Sequence, residues 1–181
     1  MEIDDDKVSK RVSTGSLQNI NERQDETATL TGLSTGLTDL DIALDGLYSG
    51  QIYVVAGRPS MGKSTLGLQF FTHNALEGHC SLYVPLEMPV QSMLMRMYAS
   101  ITEIPLSILQ TAHLSPEQWR RIRKVMRHIG QAPLYLEDMP DLSMADLRKG
   151  IQEFQHKQDL QLAIIDYCNY LAVRQGRFEI F

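Results

Sequence analysis

The sequence predicts an α/β fold in which a mainly parallel sheet carries helices on both faces. The first observation is the motif GRPSMGKS at 57–64, which directly follows the apolar run 51–56. The second is that two later apolar runs end at acidic residues, Glu87 and Asp166. The third is that helical segments with short connections separate these runs, as in parallel sheets covered on both sides. Because the carboxyl ends of parallel strands share one edge, all three runs are expected to end at the same place.

The chain begins with a polar stretch that differs from the rest. Residues 1–30 are rich in Asp, Glu, Asn, Gln, Ser and Thr and poor in large apolar side chains, which predicts a linker or flexible arm. An ordered domain is expected over residues 31–181. It opens with a short helix that ends near Gly46 and is expected to bury its apolar residues, namely Leu37, Leu40, Ile42, Leu44 and Leu47.

Strands and helices are then expected to alternate. Residues 51–56 predict a strand, the glycine-rich loop follows it, and a helix runs from the loop to about Glu77. The apolar stretch 79–87 predicts the next strand, and Pro89 is expected in the first turn of the helix after it. That helix has apolar residues at helical spacing, which predict a core face made of Val90, Met93, Leu94, Met97 and Ile101.

Two helices in the second half have clear start signals. Residues 115–118 read SPEQ, a capping box with proline in the first turn, and Ser143 precedes Asp146 at the same spacing. Strands are predicted at 133–138 and 160–166. The helix after Ser115 has an apolar side made of Trp119, Ile122, Val125, Met126 and Ile129. Its other positions carry a cluster of cations, namely Arg120, Arg121, Arg123, Lys124 and Arg127. We expect these cations to be solvated or to contact an acidic neighbour rather than to bind nucleic acid.

The glycine-rich loop has the pattern GxxxxGKS of a triphosphate-binding loop. In such loops the backbone amides and the amino end of the following helix face the phosphate oxygens. Lys63 is expected to contact the β and γ phosphates, and Ser64 to offer its hydroxyl to Mg²⁺. A chance match in a glycine-bearing turn is disfavoured by the expected strand before it and helix after it. The expected nucleotide-binding residues are Gly57, Arg58, Pro59, Ser60, Met61, Gly62, Lys63, Ser64 and Thr65.

The two acidic strand ends have different expected roles. Asp166 follows four apolar residues, the Walker B pattern of a carboxylate that holds Mg²⁺, often through water. Glu87 is the candidate general base that orients and deprotonates the attacking water. The chemistry alone leaves open whether Glu87 is instead a solvated glutamate at a strand end.

Composition excludes several classes of protein. The formal net charge of −5 argues against nucleic-acid binding through bulk positive charge. The histidines lack metal-ligand spacing, and Cys80 and Cys168 lie in separate apolar runs, which suits buried thiols in a reducing compartment. The acidic start and the absence of an 18-residue apolar run support neither export nor membrane insertion. A cytoplasmic protein without a membrane partner is expected.

Four segments together resemble the motor domain of bacterial DnaB-type replicative DNA helicases. They are TGLTDLD at 35–41, AGRPSMGKST at 56–65, PLEMP at 85–89 and IIDY at 164–167. The pairing of RPSMGK with the later LEMP separates this family from other proteins with phosphate loops. The resemblance extends from about residue 31 to the end of the chain.

The resemblance implies a RecA-like P-loop NTPase, a three-layer sandwich with a mainly parallel sheet that here lacks its C-terminal strands. It implies an ATP- and Mg²⁺-dependent helicase that moves on single-stranded DNA as a ring homo-oligomer, a hexamer, with primase or a helicase loader as partner. It also implies the roles given above for Lys63, Ser64, Glu87 and Asp166. Arg174 and Arg177 would fall in a DNA-facing loop.

Departures from the family pattern limit the expected activity. Asn169 stands where the family has a γ-phosphate-sensing Gln. The first 30 residues are too few for the family's amino-terminal domain, and the chain ends at Phe181, before the expected arginine finger. We therefore expect the isolated chain to bind Mg·ATP in a way that requires Lys63, to hydrolyse it very slowly and not to unwind DNA. The alternative is an ATP-binding module that associates with or interferes with intact helicase subunits. Another RecA-like ATPase is disfavoured by LEMP.

Overall fold

The computed structural model describes residues 30–137 and 143–166. The chain divides into two units, Met1–Thr31 and Gly32–Phe181. The fold described below belongs to the second unit. The linker predicted at 1–30 lies almost wholly outside the described residues and stays a prediction.

The described part of the second unit contains a parallel sheet of three strands. They are β1 (Ser81–Pro85), β2 (Leu134–Leu136) and β3 (Leu162–Asp166), in the order β2-β1-β3. Ser81 lies opposite both Leu134 and Leu162, and Pro85 lies opposite Asp166. Every residue of the central strand β1 is buried. The predicted α/β class with a parallel sheet is confirmed.

Six helices accompany the sheet within the described residues. They are α1 (Thr38–Leu44), α2 (Lys63–Leu76), α3 (Val90–Thr102), α4 (Leu106–Thr111), α5 (Pro116–Ile129) and α6 (Met144–Gln158). The predicted capping boxes at Ser115 and Ser143 are both present. Pro89 is the N-cap of α3 rather than a first-turn residue, and α4 had no predicted counterpart.

Helices cover both faces of the sheet, as predicted. On one face Tyr83 of β1 packs with Leu68 and Phe71 of α2, and Met93 and Met97 of α3 are fully buried beside them. On the other face Leu82 and Val84 of β1 pack against Leu147 of α6. Successive strand residues point to opposite faces, so one five-residue strand supplies both cores. The methionines of α3 therefore belong to the core, as their spacing predicted.

The strand predicted at 51–56 does not form. The run is extended, and its apolar side chains are exposed, with Ile52 at 91% and Val54 at 79% of full exposure. None of the described strands pairs with this run, and the pairing partner of β3 among them is β1. An apolar run becomes a strand only where a neighbour completes its hydrogen-bond ladder, and local sequence does not report that neighbour. Gly57 therefore does not follow a strand end, contrary to the prediction.

Two predicted apolar faces are narrower than expected. Of the apolar residues predicted to be buried around α1, only Leu47 is buried. Leu40 is half-buried, and Leu37, Ile42 and Leu44 are exposed. On α5 the residues Ile122 and Ile129 are buried, but Trp119 and Met126 lie at the border of the apolar stripe and are exposed. The neighbouring elements therefore cover only part of each predicted apolar stripe. The cations of α5 are all exposed, and Arg121 pairs with Glu117 at 3.2 Å.

A buried carboxylate anchors the segment before α1. Asp41 is only 7% exposed and accepts hydrogen bonds from the Thr35 amide (2.7 Å), the Thr35 hydroxyl (2.6 Å) and the Ser34 hydroxyl (2.6 Å). Burial raises the pKa of Asp41, but these hydrogen bonds and the nearby His73 outweigh it and hold the pKa below its ordinary 3.8. Ser34 also contacts His73 (3.1 Å), and its carbonyl accepts from the Asn74 side chain (2.8 Å). The entry segment is thus fastened to α2.

Two truncations test whether the run 51–56 is exposed. Val54→Ala is expected to change the free energy of unfolding by less than about 0.5 kcal/mol, because the side chain already faces water. Leu82→Ala, at a site only 1% exposed, is expected to cost roughly 2–5 kcal/mol. Chemical denaturation of both variants measures the difference. Equal costs would contradict the exposed position of Val54.

Asp41→Ala is expected to lower the free energy of unfolding by roughly 1–3 kcal/mol, because it removes the acceptor of the buried Thr35 amide and of the Ser34 and Thr35 hydroxyls. The lowered pKa means that this contribution is full above the ordinary pKa of 3.8 and is lost as the pH falls through the folded-state value. Denaturation of wild type and variant from neutral to acidic pH measures it. Asp39→Ala, an exposed site on the same helix, is the control. A difference in free energy of unfolding between wild type and Asp41→Ala that stays constant through acidic pH would contradict the role of the Asp41 carboxylate.

Candidate phosphate-binding site

The position of α2 brings its amino end to the carboxyl edge of the sheet. Four residues, 77–80, connect the carboxyl end of α2 to the start of β1, so helix and strand run in opposite directions. One turn into the helix, a Cβ at Gly67 would lie 3.4 Å from Ile164 of β3 and 3.5 Å from the Tyr83 hydroxyl. The amide-rich, positive end of α2 therefore lies at the edge where β1 and β3 end.

The loop before α2 depends on its second glycine. Gly62 is the N-cap of α2 with φ 90°, a conformation that disfavours other residues. Gly57 has no positive φ, and a Cβ there would meet nothing nearer than 3.8 Å. Ser60 has φ 63°, and the Met61 amide donates to the Arg58 carbonyl at 3.3 Å. The tight curl of the loop is thus concentrated at residues 58–62, which are all exposed.

Lys63 curls back over the loop. Its Nζ donates to the carbonyls of Gly57 and Arg58, each at 3.1 Å. The ammonium group is therefore held at the loop, where an anion approaching the loop amides would meet it. Ser64, the next residue of α2, is half-buried, and Thr65 lines a cavity of about 210 Å³ between α2 and α3.

The Asp166 carboxylate lies at the same edge as the amino end of α2. Asp166 is opposite Pro85, and its carbonyl accepts from the Leu86 amide at 2.7 Å. Ile164, two residues earlier, packs on the face covered by α2, so strand alternation puts the Asp166 side chain on that face. Its Oδ2 accepts a hydrogen bond of 2.7 Å from the Tyr83 hydroxyl. Burial first, and then this hydrogen bond and the negative charge of Asp166, raise the pKa of Tyr83, so its hydroxyl keeps its proton.

Glu87 lies just beyond the end of β1. The strand ends at Pro85, and the Leu86 amide continues the ladder to the Asp166 carbonyl. Glu87 is the next residue and its side chain is exposed. It is therefore at the predicted edge but outside the strand, where it is accessible to solvent.

The residues singled out in the sequence lie in different parts of the structure, and some lie outside its described residues. Lys63 and Ser64 begin α2, Asp166 ends β3, and Glu87 follows the end of β1 by two residues, so all four lie near one edge of the sheet. The loop residues 57–62 precede α2 there but do not extend a strand. Cys80 is buried as predicted, and burial raises the pKa of its thiol. Cys168, Asn169, Arg174 and Arg177 lie outside the described residues, so the predictions about them stay predictions.

Sequence reasoning missed Tyr83. The sequence presents it only as an aromatic residue of an apolar strand. In the sheet Tyr83 lies opposite Ile164, two residues before Asp166, so it is on the same face as the carboxylate. Side chains alternate between the two faces of a sheet, so Tyr83 could be identified once the pairing register is known. The register itself is a tertiary fact, which explains the omission.

Asp166 supplies a carboxylate at this edge, and Ser64 supplies a hydroxyl at the start of α2. A carboxylate, a hydroxyl and phosphate oxygens are the ligands that Mg²⁺ prefers, and this ion usually keeps several waters. Within residues 30–137 and 143–166 no cluster of three or more His, Cys, Asp or Glu side chains could hold a metal by itself. In the same ranges, no helix has the length and apolar character needed to cross a bilayer.

Comparisons with known proteins point to one family. The family model described as "DnaB-like helicase C terminal domain" matches residues 32–179. Replicative DNA helicase DnaB of Leifsonia xyli subsp. xyli is 29% identical over 172 residues, which cover 94% of this chain and 38% of that protein. Its counterpart in Rickettsia typhi is 31% identical over 167 residues, covering 86% and 34%. The chain thus spans well under half of these relatives.

Solved structures share the fold. One that is described as an ATPase domain matches with a TM-score of 0.74 at 20% identity, covering 88% of this chain and 57% of that one. A DnaB-like replicative helicase, described with its interactions with primase, matches with a TM-score of 0.74 at 20% identity over 94% of this chain and 39% of that one. The RecA-like class and the resemblance carried by the four motifs are confirmed.

The backbone of the loop yields a matched pair of variants. Gly62→Ala is expected to lower the free energy of unfolding by roughly 1–2 kcal/mol, because an alanine is strained at φ 90°. Gly57→Ala is expected to change it by less than about 0.5 kcal/mol. Chemical denaturation measures both. A larger cost at Gly57 than at Gly62 would contradict the loop conformation.

Proposed function

Because the chain belongs to the family of DnaB-like helicase C-terminal domains, we propose that it is the ATP-driven motor of a replicative DNA helicase. It binds Mg·ATP at the loop 57–62, hydrolyses it, and couples hydrolysis to movement along single-stranded DNA and separation of the duplex. The observation that supports this most is the common edge shared by the amino end of α2, the end of β1 and the Asp166 carboxylate.

Each of four residues has a distinct role in the proposed hydrolysis. Lys63 contacts the β and γ phosphates and stabilises charge that develops on them. Ser64 and Asp166 supply the protein oxygens that hold Mg²⁺, which when bound neutralises phosphate charge. Glu87 orients the attacking water and accepts its proton. Its exposed position at the end of β1 leaves room for that water beside the nucleotide.

The proposed partners follow from the family and from the names of its members. Relatives are named replicative DNA helicases, and one structural neighbour is described with its interactions with primase. We propose single-stranded DNA as the track, a homo-hexameric ring as the assembly, and primase or a helicase loader as partner. A cytoplasmic location fits this role, since chromosome replication takes place there in bacteria.

Nucleotide binding and phosphate release test the proposal with a small set of variants. Lys63→Ala is expected to weaken binding of a fluorescent ATP analogue with Mg²⁺ about 10- to 100-fold, because charge-assisted hydrogen bonds to phosphate are lost. Glu87→Gln is expected to bind within about threefold of wild type but to release phosphate roughly 100- to 10,000-fold more slowly. Release is measured with and without single-stranded DNA.

Lys149→Ala is the matched control, since Lys149 is an exposed lysine of α6 that pairs only loosely with Glu153 at 3.9 Å. It is expected to behave like wild type in both assays. Equal affinity of wild type and Lys63→Ala would contradict the nucleotide site. Unchanged phosphate release by Glu87→Gln would contradict its role as base, and release that rises when single-stranded DNA is added would support the motor function.

A further inference from the structure

We propose that Tyr83 is a positioning residue for Asp166: its buried hydroxyl holds one carboxylate oxygen so that the other faces the magnesium ion of the bound nucleotide. This inference rests on the proposed function, because it assigns a task to the group that would orient the metal-holding carboxylate. It concerns a side chain whose aromatic ring could serve packing without any hydroxyl.

The ring of Tyr83 is fixed on every side. Tyr83 is fully buried in the central strand, and Phe71 of α2 meets its ring edge-on with centroids 5.4 Å apart. Gly67 lies over the hydroxyl, where a Cβ would come within 3.5 Å of the oxygen. A side chain packed this way has few rotamers to choose from. Its hydroxyl therefore has a defined direction.

The register of the sheet aims that hydroxyl at Asp166. Tyr83 pairs with Ile164, so Asp166 is the diagonal neighbour on the same face of the sheet. The hydroxyl donates to Oδ2 over 2.7 Å. Among residues 30–137 and 143–166, this is the one side-chain hydrogen bond recorded for the carboxylate, and Oδ1 is the oxygen that the proposal assigns to the metal.

A hydroxyl at this place has a cost that phenylalanine would avoid. Burying a polar group is unfavourable unless it is hydrogen-bonded, and the carboxylate is the partner that satisfies Tyr83. Groups that orient a metal-binding side chain through a hydrogen bond commonly affect metal affinity about 10- to 100-fold. The expected consequence is a carboxylate already aligned before the metal–nucleotide complex arrives.

The chain offers a close control in Tyr135. This tyrosine also lies in a strand, and its ring meets Phe154 edge-on at a centroid distance of 4.7 Å. Its hydroxyl donates to Gln158 over 3.0 Å. It packs in the cluster on the opposite face of the sheet, away from Asp166. Removing this hydroxyl removes the same chemical group without touching the carboxylate.

The test is a Mg²⁺ titration of nucleotide binding. Wild type, Tyr83→Phe, Tyr135→Phe and Asp166→Asn are mixed with a fluorescent ATP analogue in EDTA, and Mg²⁺ is then added in steps. Tyr83→Phe is expected to need about 10-fold more free Mg²⁺ than wild type for half of the metal-dependent signal. Asp166→Asn is expected to show an increase of at least the same size. Tyr135→Phe is expected to match wild type. Binding in EDTA and the melting temperature should be similar for wild type and both tyrosine variants.

The outcomes separate this inference from the proposed function. A shifted curve for Asp166→Asn with an unshifted curve for Tyr83→Phe would overturn the role of Tyr83 and leave the function standing. Unshifted curves for both would overturn the metal role of Asp166 and with it the inference. If Tyr83→Phe lowered the nucleotide affinity in EDTA or the melting temperature as well as the response to Mg²⁺, Tyr83 would have a role in packing alone.

Discussion

The packing of α2 on β1 and β3 is the interaction on which the site depends. Gly67 allows the helix to approach Ile164 and the Tyr83 hydroxyl, and Phe71 sets the ring of Tyr83 edge-on one turn later. This contact fixes the height of the helix above the sheet. Since Lys63 and Ser64 begin the same helix, their distance from the carboxyl edge follows from that packing rather than from the loop itself.

A second constraint acts before the loop. The Asp41 carboxylate gathers the Ser34 and Thr35 donors, and Asn74 of α2 binds the Ser34 carbonyl. The antiparallel bridge between Leu33 and Leu47 closes the same segment. The chain is therefore attached to α2 on both sides of the stretch 48–62, which is exposed over most of its length. Both ends of this stretch are therefore held in place, although the run 51–56 does not pair with the sheet.

Much of the fold was predictable because it follows from local rules. The capping boxes at Ser115 and Ser143, the buried methionines of α3 and the two strands that end near Glu87 and Asp166 all appear as expected. The errors concern neighbours: the run 51–56 lacks a pairing strand, and Trp119 and Met126 lie beyond the reach of the core. Periodicity identifies which side of an element is apolar but not how much of it another element covers.

The sequence by itself determined the chemistry of this protein: the spacing of GRPSMGKS, and an apolar run that ends in an acid, require particular side chains at particular backbone positions. It also identified the family. Only the tertiary structure decided which strand ends are adjacent, that Gly62 rather than Gly57 needs a positive φ, and that the Tyr83 hydroxyl reaches Asp166. The contact between Tyr83 and Asp166 joins residues 83 positions apart, and it depends on sheet register and helix packing that no local pattern encodes.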